Sequence, residues 1–264
     1  MTVNIKGHET ALGYAVTGVE DGPQVLVLHG WGSSSAVMSG LINGLADQCR
    51  VFSLDMPGHG LSPISPVPWG LPEQADAVSQ FLEKHSTSPV TIVGHSNGGR
   101  IALYMASDVK LSAFTIGLVL FSPSGIRRAA SFGTRVKRTV AGVLKAPFML
   151  LPGRAREYGL DWLRHTIVWS LLGSSDYRAL DGIMRETFVL IVNTYVQERL
   201  QHIHVPVLIF WGENDRDIDK QQIQALESGI PDAGVMVVEN AGHYAFLDRT
   251  DIAIQGTLKF INAL

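Results

Sequence analysis

The chain predicts an α/β fold, a mostly parallel eight-stranded sheet flanked by helices and interrupted by one helical insertion. Three observations lead there. Short runs rich in Val, Leu and Ile alternate with helix-periodic stretches through most of the chain, the pattern of strand–helix–strand units. One such run, Pro89-Val90-Thr91-Ile92-Val93, passes directly into Gly94-His95-Ser96-Asn97-Gly98, where small residues let the chain turn sharply from strand to helix around a serine. The alternation stops after Phe121-Ser122-Pro123 and resumes at Val205-Pro206, with helical stretches but no convincing strand between.

In chain order, strands are expected near residues 3–5, 12–16, 25–28, 51–54, 90–93, 117–121, 207–210 and 235–238. The central ones, such as Val25-Leu26-Val27-Leu28, are unbroken apolar runs, as a sheet covered on both faces requires. Helices are expected near 36–46, 72–84, 98–106, 220–228 and 252–262. Pro72 suits a first helical turn, and Asp219 with Gln222 three residues on reads as a capping box. Residues 1–122 and 205–264 then form one core, and 123–204 a helical cap leaving from the carboxyl edge of the sheet. In open α/β sheets the site lies beyond that edge, so the insertion is placed to roof it.

A length of 264 residues with 46% hydrophobic and 17% charged side chains describes a globular chain able to bury a sizeable core. A net charge of −3 offers no global case for binding nucleic acid. Cys49 is the sole cysteine, which excludes an internal disulfide and a cysteine-based metal site. Neither a leader-like amino terminus nor a membrane-length apolar run is present, so the expectation is a soluble, cytoplasmic protein.

A serine hydroxyl attacks well only when a base takes its proton and an acid orients that base. Of nine histidines, His202, His204 and His85 precede strands and fall at the wrong sheet edge, while His8 and His165 lie in the amino-terminal segment and the insertion. His243 follows the last strand in Glu239-Asn240-Ala241-Gly242-His243 and shares the serine's edge, which makes it the candidate base. His95 adjoins Ser96 but is expected to pack under the turn, and His29 and His59 to stabilise turns by hydrogen bonds. For the acid, Trp211-Gly212-Glu213-Asn214-Asp215-Arg216-Asp217 offers three carboxylates. Asp215 is preferred, Asp217 is the alternative, and Glu213 is expected to face solvent; the loop after the sixth strand, Ser122-Pro123-Ser124-Gly125, supplies no acid. The turn His29-Gly30-Trp31-Gly32 and the start of the helix behind Ser96 place the backbone N–H groups of Trp31 and Asn97 as an oxyanion hole.

These landmarks, with Asp55-Met56-Pro57-Gly58-His59-Gly60-Leu61-Ser62, resemble the ordered motifs of the alpha/beta-hydrolase superfamily over nearly the whole chain outside the insertion. The resemblance implies a triad in the order Ser, Asp, His and a helical cap over the site. The His-Gly-Trp-Gly turn is similar to that of the pimeloyl-acyl-carrier-protein methyl ester esterases and other small carboxylesterases. The meta-cleavage carbon-carbon hydrolases are similar in layout, but typically have asparagine where this chain has His95.

From Pro123 to Arg156 the chain carries Arg127, Arg128, Arg135, Lys137, Arg138, Lys145, Arg154 and Arg156 and no acidic residue. This stretch is either a solvated helix face or a contact for an anionic partner, such as an acyl carrier protein or a lipid surface. Trp31 and Tyr244, together with Phe148, Trp162, Trp169 and Phe188, are candidates to line an apolar acyl pocket, and most serve equally well as core residues. The combined reading is a serine hydrolase of carboxylic esters with small or medium apolar acyl groups, requiring no metal or organic cofactor. Cleavage of a carbon-carbon bond in a vinylogous diketone, or slow-turnover ligand sensing, are the alternatives.

Overall fold

The computed structural model describes residues 1–128, 143, 146–149, 151–153, 155–156, 180 and 182–264. Among the described residues there are nine strands: β1 (Thr2–Ile5), β2 (His8–Ala11), β3 (Tyr14–Gly18), β4 (Gln24–Leu28), β5 (Arg50–Leu54), β6 (Val90–His95), β7 (Thr115–Phe121), β8 (Val207–Gly212) and β9 (Ala233–Val238). Seven of them, β3 to β9, form the main sheet in the order β3-β5-β4-β6-β7-β8-β9, with β3 antiparallel to β5 and every other neighbour parallel.

The expected eight-stranded sheet is therefore corrected to seven strands. The first expected strand belongs instead to a separate two-stranded hairpin, β1 with β2. Its turn is Lys6-Gly7, both with positive φ (53° and 79°), the backbone that matches the twist of a tight hairpin. The polar sequence of β2, His8-Glu9-Thr10-Ala11, hid it, and the strand expected at 12–16 begins two residues later at Tyr14.

The described helices are α1 (Ser39–Ala46), α2 (Leu71–His85), α3 (Asn97–Ala106), α4 (Gly182–Val192), α5 (Lys220–Gly229), α6 (Ala245–Asp248) and α7 (Thr250–Ile261). Pro72 lies in the first turn of α2, and Asp219 caps α5 by accepting from Gln222 N–H at 3.0 Å while the Gln222 side chain answers Asp219 N–H at 3.1 Å. Alternate residues of each central strand feed two buried layers. Leu26, Leu28, Ile92 and Leu120 pack toward α2, α3 and α5, whereas Val25, Val27, Val93 and Phe121 pack toward α1, α6 and α7. Of the span 123–204, the described residues contribute α4, a 3-10 turn at Gln197–His202 and helical positions at 143, 146–149, 153 and 155–156, and no strand.

Sheet order fixes where a site can form. β5 lies on one side of β4 and β6 on the other, so the chain reverses its direction of travel across the sheet between β4 and β6. At such a point the connections leave to opposite sides and open a crevice at the carboxyl ends of the two strands. The loop after β4 starts with His29, and the one after β6 with Ser96.

Candidate active site

Ser96 joins β6 to α3 with φ 49° and ψ −106°, a left-handed conformation that costs a non-glycine residue roughly 1–3 kcal/mol. Three main-chain bonds hold it there: Ser96 N–H to the Phe121 carbonyl, and Ser124 N–H and Arg100 N–H to the Ser96 carbonyl, each 3.0 Å. The helix start lies so close to β4 that a Cβ on Gly98 would stand 2.2 Å from the Leu28 carbonyl oxygen, so no side chain fits. His95 and Asn97 on either side are buried, while Ser96 is half-buried.

The loops after β8 and β9 are stitched together by Glu213 N–H to Val238 O at 3.0 Å and Asn214 N–H to Ala241 O at 2.9 Å. A Cβ on Gly212 would meet the Gly242 carbonyl at 2.1 Å, so glycine is what allows this approach. Across the seam His243 Nδ1 meets the Asp215 carboxylate at 3.0 and 3.2 Å. The Asp215 side chain is fully buried, and its Oδ1 also accepts from Asp217 N–H at 2.8 Å and Ile218 N–H at 3.0 Å. Burial pushes the carboxyl upward, but the bonds from His243 and Ile218 and the nearby Ser122 hydroxyl together outweigh it and leave the pKa below the usual value. Asp217 and Glu213 are exposed, so the carboxylate that meets His243 is that of Asp215. With its proton held on Nδ1, His243 keeps the Nε2 lone pair for another partner.

The remaining edge histidines are structural in their contacts. His29 Nε2 accepts from Met56 N–H at 3.0 Å and its Nδ1–H donates to the Gly30 carbonyl at 2.7 Å; burial lowers its pKa to about 4. His59 Nε2 accepts from Gly32 N–H at 3.0 Å, and its Nδ1–H donates to the Pro57 carbonyl at 3.0 Å. His95 lies under the turn, donating Nε2–H to the His243 carbonyl at 3.1 Å with its ring 4.8 Å from the His243 ring; burial pulls its pKa to about 3.

Ser96 and His243 line one cavity of about 660 Å³ with Trp31, Asn97, Arg100 and Tyr244. Phe188 of α4, also on the wall, packs its ring 5.3 Å from Trp31. The backbone N–H groups of Trp31 and Asn97 have no hydrogen-bond partner among the described residues. Phe148 is half-buried and falls outside the described lining, and Trp162 and Trp169 lie outside the described residues. The sequence reading missed the polar residues Arg100 and Ser124 on the wall and Ser122 beside Asp215, and the apolar lining of Leu180, Ile191, Val192 and Ile218. Arg100 carried a signal, since position i+4 on a helix shares a face with the residue at its start. Asp215, Asp217 and His243 bring three ligand atoms within 4.8 Å of one another, the one such group among the described residues, but Nδ1 of His243 is already committed to Asp215.

In the basic stretch, Arg128 pairs with Asp219 at 3.0 Å and Arg127 lies over the Tyr195 ring at 4.7 Å. Arg156 is exposed, and Arg135, Lys137, Arg138, Lys145 and Arg154 lie outside the described residues. No described helix is long and apolar enough to cross a membrane.

The family model for the alpha/beta hydrolase fold matches residues 23–250. The chain is 26% identical over 238 residues to a pimeloyl-[acyl-carrier protein] methyl ester esterase of Aeromonas hydrophila subsp. hydrophila, covering 86% of this chain and 91% of that one. It is 27% identical over 247 residues to the monoacylglycerol lipase ABHD6 of Mus musculus, covering 86% and 72%. Among solved structures, a bacterial membrane phospholipase A superposes with a TM-score of 0.73 at 21% identity over 100% of this chain and 85% of that one, a likeness of fold.

Proposed function

Since the chain belongs to the alpha/beta-hydrolase fold family, we propose that it is a serine hydrolase cleaving carboxylic esters of small or medium acyl groups through an acyl-enzyme. The observation that carries the reading is the buried Asp215–His243 pair beside a strained, half-buried Ser96 in one cavity. The Ser96 hydroxyl adds to the ester carbonyl as His243 Nε2 takes its proton, and Asp215 stabilises the imidazolium. The Trp31 and Asn97 N–H groups receive the oxyanion, and because neither has a partner among the described residues, no described bond has to break first. His243 then protonates the departing alcohol. Water, deprotonated by the same nitrogen, releases the acid and restores Ser96.

Residues 123–204 act in this reading as the cap, and α4 supports that role by contributing Phe188, Ile191 and Val192 to the cavity wall. The acid-free stretch from Pro123 to Arg156 is the proposed contact for an anionic acyl carrier, a partner class named in the Aeromonas relative. The deciding experiment is steady-state turnover on methyl and 4-nitrophenyl esters of graded chain length, with Ser96→Ala alongside. Turnover that falls at least about a thousandfold in a folded Ser96→Ala protein is expected. Cleavage of a vinylogous diketone in preference to every ester, or labelling of Ser96 by a fluorophosphonate without turnover, would replace the ester reading with the carbon-carbon or sensing alternative.

A further inference from the structure

Arg100 stands one helical turn beyond Ser96 on α3, is 7% exposed, and lines the same cavity. No described carboxylate lies within ion-pair distance of it. Of its five N–H donors, one bond is made among the described residues, from Nη1 to the Ile191 carbonyl in the last turn of α4. Its Nε is buried without a partner, and so is Oδ1 of the neighbouring Asn97, whose amide nitrogen is held by Gln74 Oε1 at 3.1 Å. Burial lowers the guanidinium pKa to about 10, which leaves it a cation at neutral pH. The other charged side chain on the described wall, apart from titratable His243, is Asp217, and it is exposed.

A buried charge without a counter-charge is costly, and tethering the end of α4 needs one donor, not a charged fork of five. The ligand group that answers such a fork is a carboxylate, bound through two parallel charge-assisted hydrogen bonds. We propose that Arg100 is an anion-recognition subsite, and that the esters cleaved at Ser96 carry a carboxylate on the acyl chain a few carbons from the scissile carbonyl. The spacing follows from the helix: four residues rise about 6 Å, so a short half-ester of a dicarboxylic acid spans the two groups. An anion on the acyl side stays bound through both half-reactions, because that side remains attached to Ser96 in the acyl-enzyme. The inference rests on the ester-hydrolase reading for its chemistry but has a binding readout of its own.

The test compares monomethyl adipate with methyl hexanoate, chains of equal length that differ in the terminal carboxylate. The ratio of kcat/KM for the two should favour the adipate in the wild type and fall about ten- to a hundredfold in Arg100→Met, chiefly through KM, with partial recovery in Arg100→Lys. A ratio is insensitive to partial loss of folded protein. A ratio unmoved by Arg100→Met, with both substrates losing equally, overturns the proposal and leaves Arg100 as a tether for α4. Adipate binding to the Ser96→Ala protein by calorimetry, lost with Arg100→Met added, separates the two readings. Binding that depends on Arg100 without turnover of either ester in the wild type sinks the hydrolase reading and keeps the subsite, whereas neutral-ester turnover with no such binding does the reverse.

Discussion

The two aspartates at 215 and 217 have the same chemistry and opposite surroundings. Asp215 is sealed in and receives N–H bonds from Asp217 and Ile218 as well as His243, while Asp217 is exposed at the cavity wall. Asp215→Asn should lower kcat by roughly three to four orders of magnitude, since the amide favours the wrong imidazole tautomer. Asp217→Asn should change it by no more than a few-fold on a neutral ester; parallel kcat measurements check the pair, and a larger loss for Asp217 would reverse the roles. His29, His59 and His95 make a second prediction. Burial holds all three below the ordinary histidine value, at about 4 for His29 and about 3 for His95. The unfolded chain therefore binds protons from about pH 6.5 downward while the fold refuses them, so this stabilisation is whole above that pH and is lost toward pH 4 and below. Between pH 6.5 and those values, His29 and His95 should each contribute a slope approaching about 1.4 kcal/mol per pH unit, and His59 adds in the same direction. Asp215, with its depressed carboxyl, adds a loss confined to more acidic pH, below the ordinary aspartate range. Urea unfolding at pH 7, 6 and 5 should show stability falling, and His95→Gln should remove about one proton from the slope.

Elements meet at the site through close backbone approach. The start of α3 abuts the end of β4, and a methyl at Gly98 would drive into the Leu28 carbonyl at 2.2 Å. Gly98→Ala should thus destabilise by about 2 kcal/mol or more, the scale of forced overpacking. Gly234, on the edge strand β9, has nothing within 4 Å of a built Cβ, and Gly234→Ala should stay within about 0.5 kcal/mol of the wild type. Chemical denaturation of the two variants checks the contrast, and equal effects would mean the elbow can relax. The Asp219 carboxylate that caps α5 also pairs with Arg128.

Across the whole molecule, α4 joins the span 123–204 to the core at the cavity, in addition to the Arg128–Asp219 pair and the Arg199–Asp108 pair. Thr187 Oγ1 accepts from Trp69 N–H at 3.1 Å, Ile191 accepts from Arg100, and Phe188 meets the Trp31 ring. Charge outside the cavity is a separate matter from chemistry inside it. Reversal of Arg135, Lys137 and Arg138 to Glu should raise KM several-fold for a carrier-bound ester, with a smaller effect at high salt because surface charges are screened over about 8 Å at physiological ionic strength. KM for a small neutral ester should hardly move. Equal losses on both substrates would return the stretch to a solvated face.

Much of the fold was legible because its signals are local. An apolar run buried on both faces reads as a central strand wherever it lies, and Gly94-His95-Ser96-Asn97-Gly98 specifies its turn from within five residues. The loops that hold Asp215 and His243 were legible for the same reason, each following a strand of the same sheet. What pattern could not supply is whatever depends on contact between distant segments. The hairpin of β1 and β2 is made by a Lys6-Gly7 turn, and its polar second strand buries only Thr10, so no apolar alternation announces it. Asp215 is distinguished from Asp217 by which of two carboxylates, two residues apart, is turned inward to the seam with the loop after β9. Arg100 reads on its own as one more helix former, and tertiary packing alone brings its guanidinium against Ile191, 91 residues away, and sets it in the cavity wall beside Ser96. Strand, turn and cap follow from forces acting over a few residues; burial, pairing and the charge of a cavity are settled by what the rest of the chain lays against them.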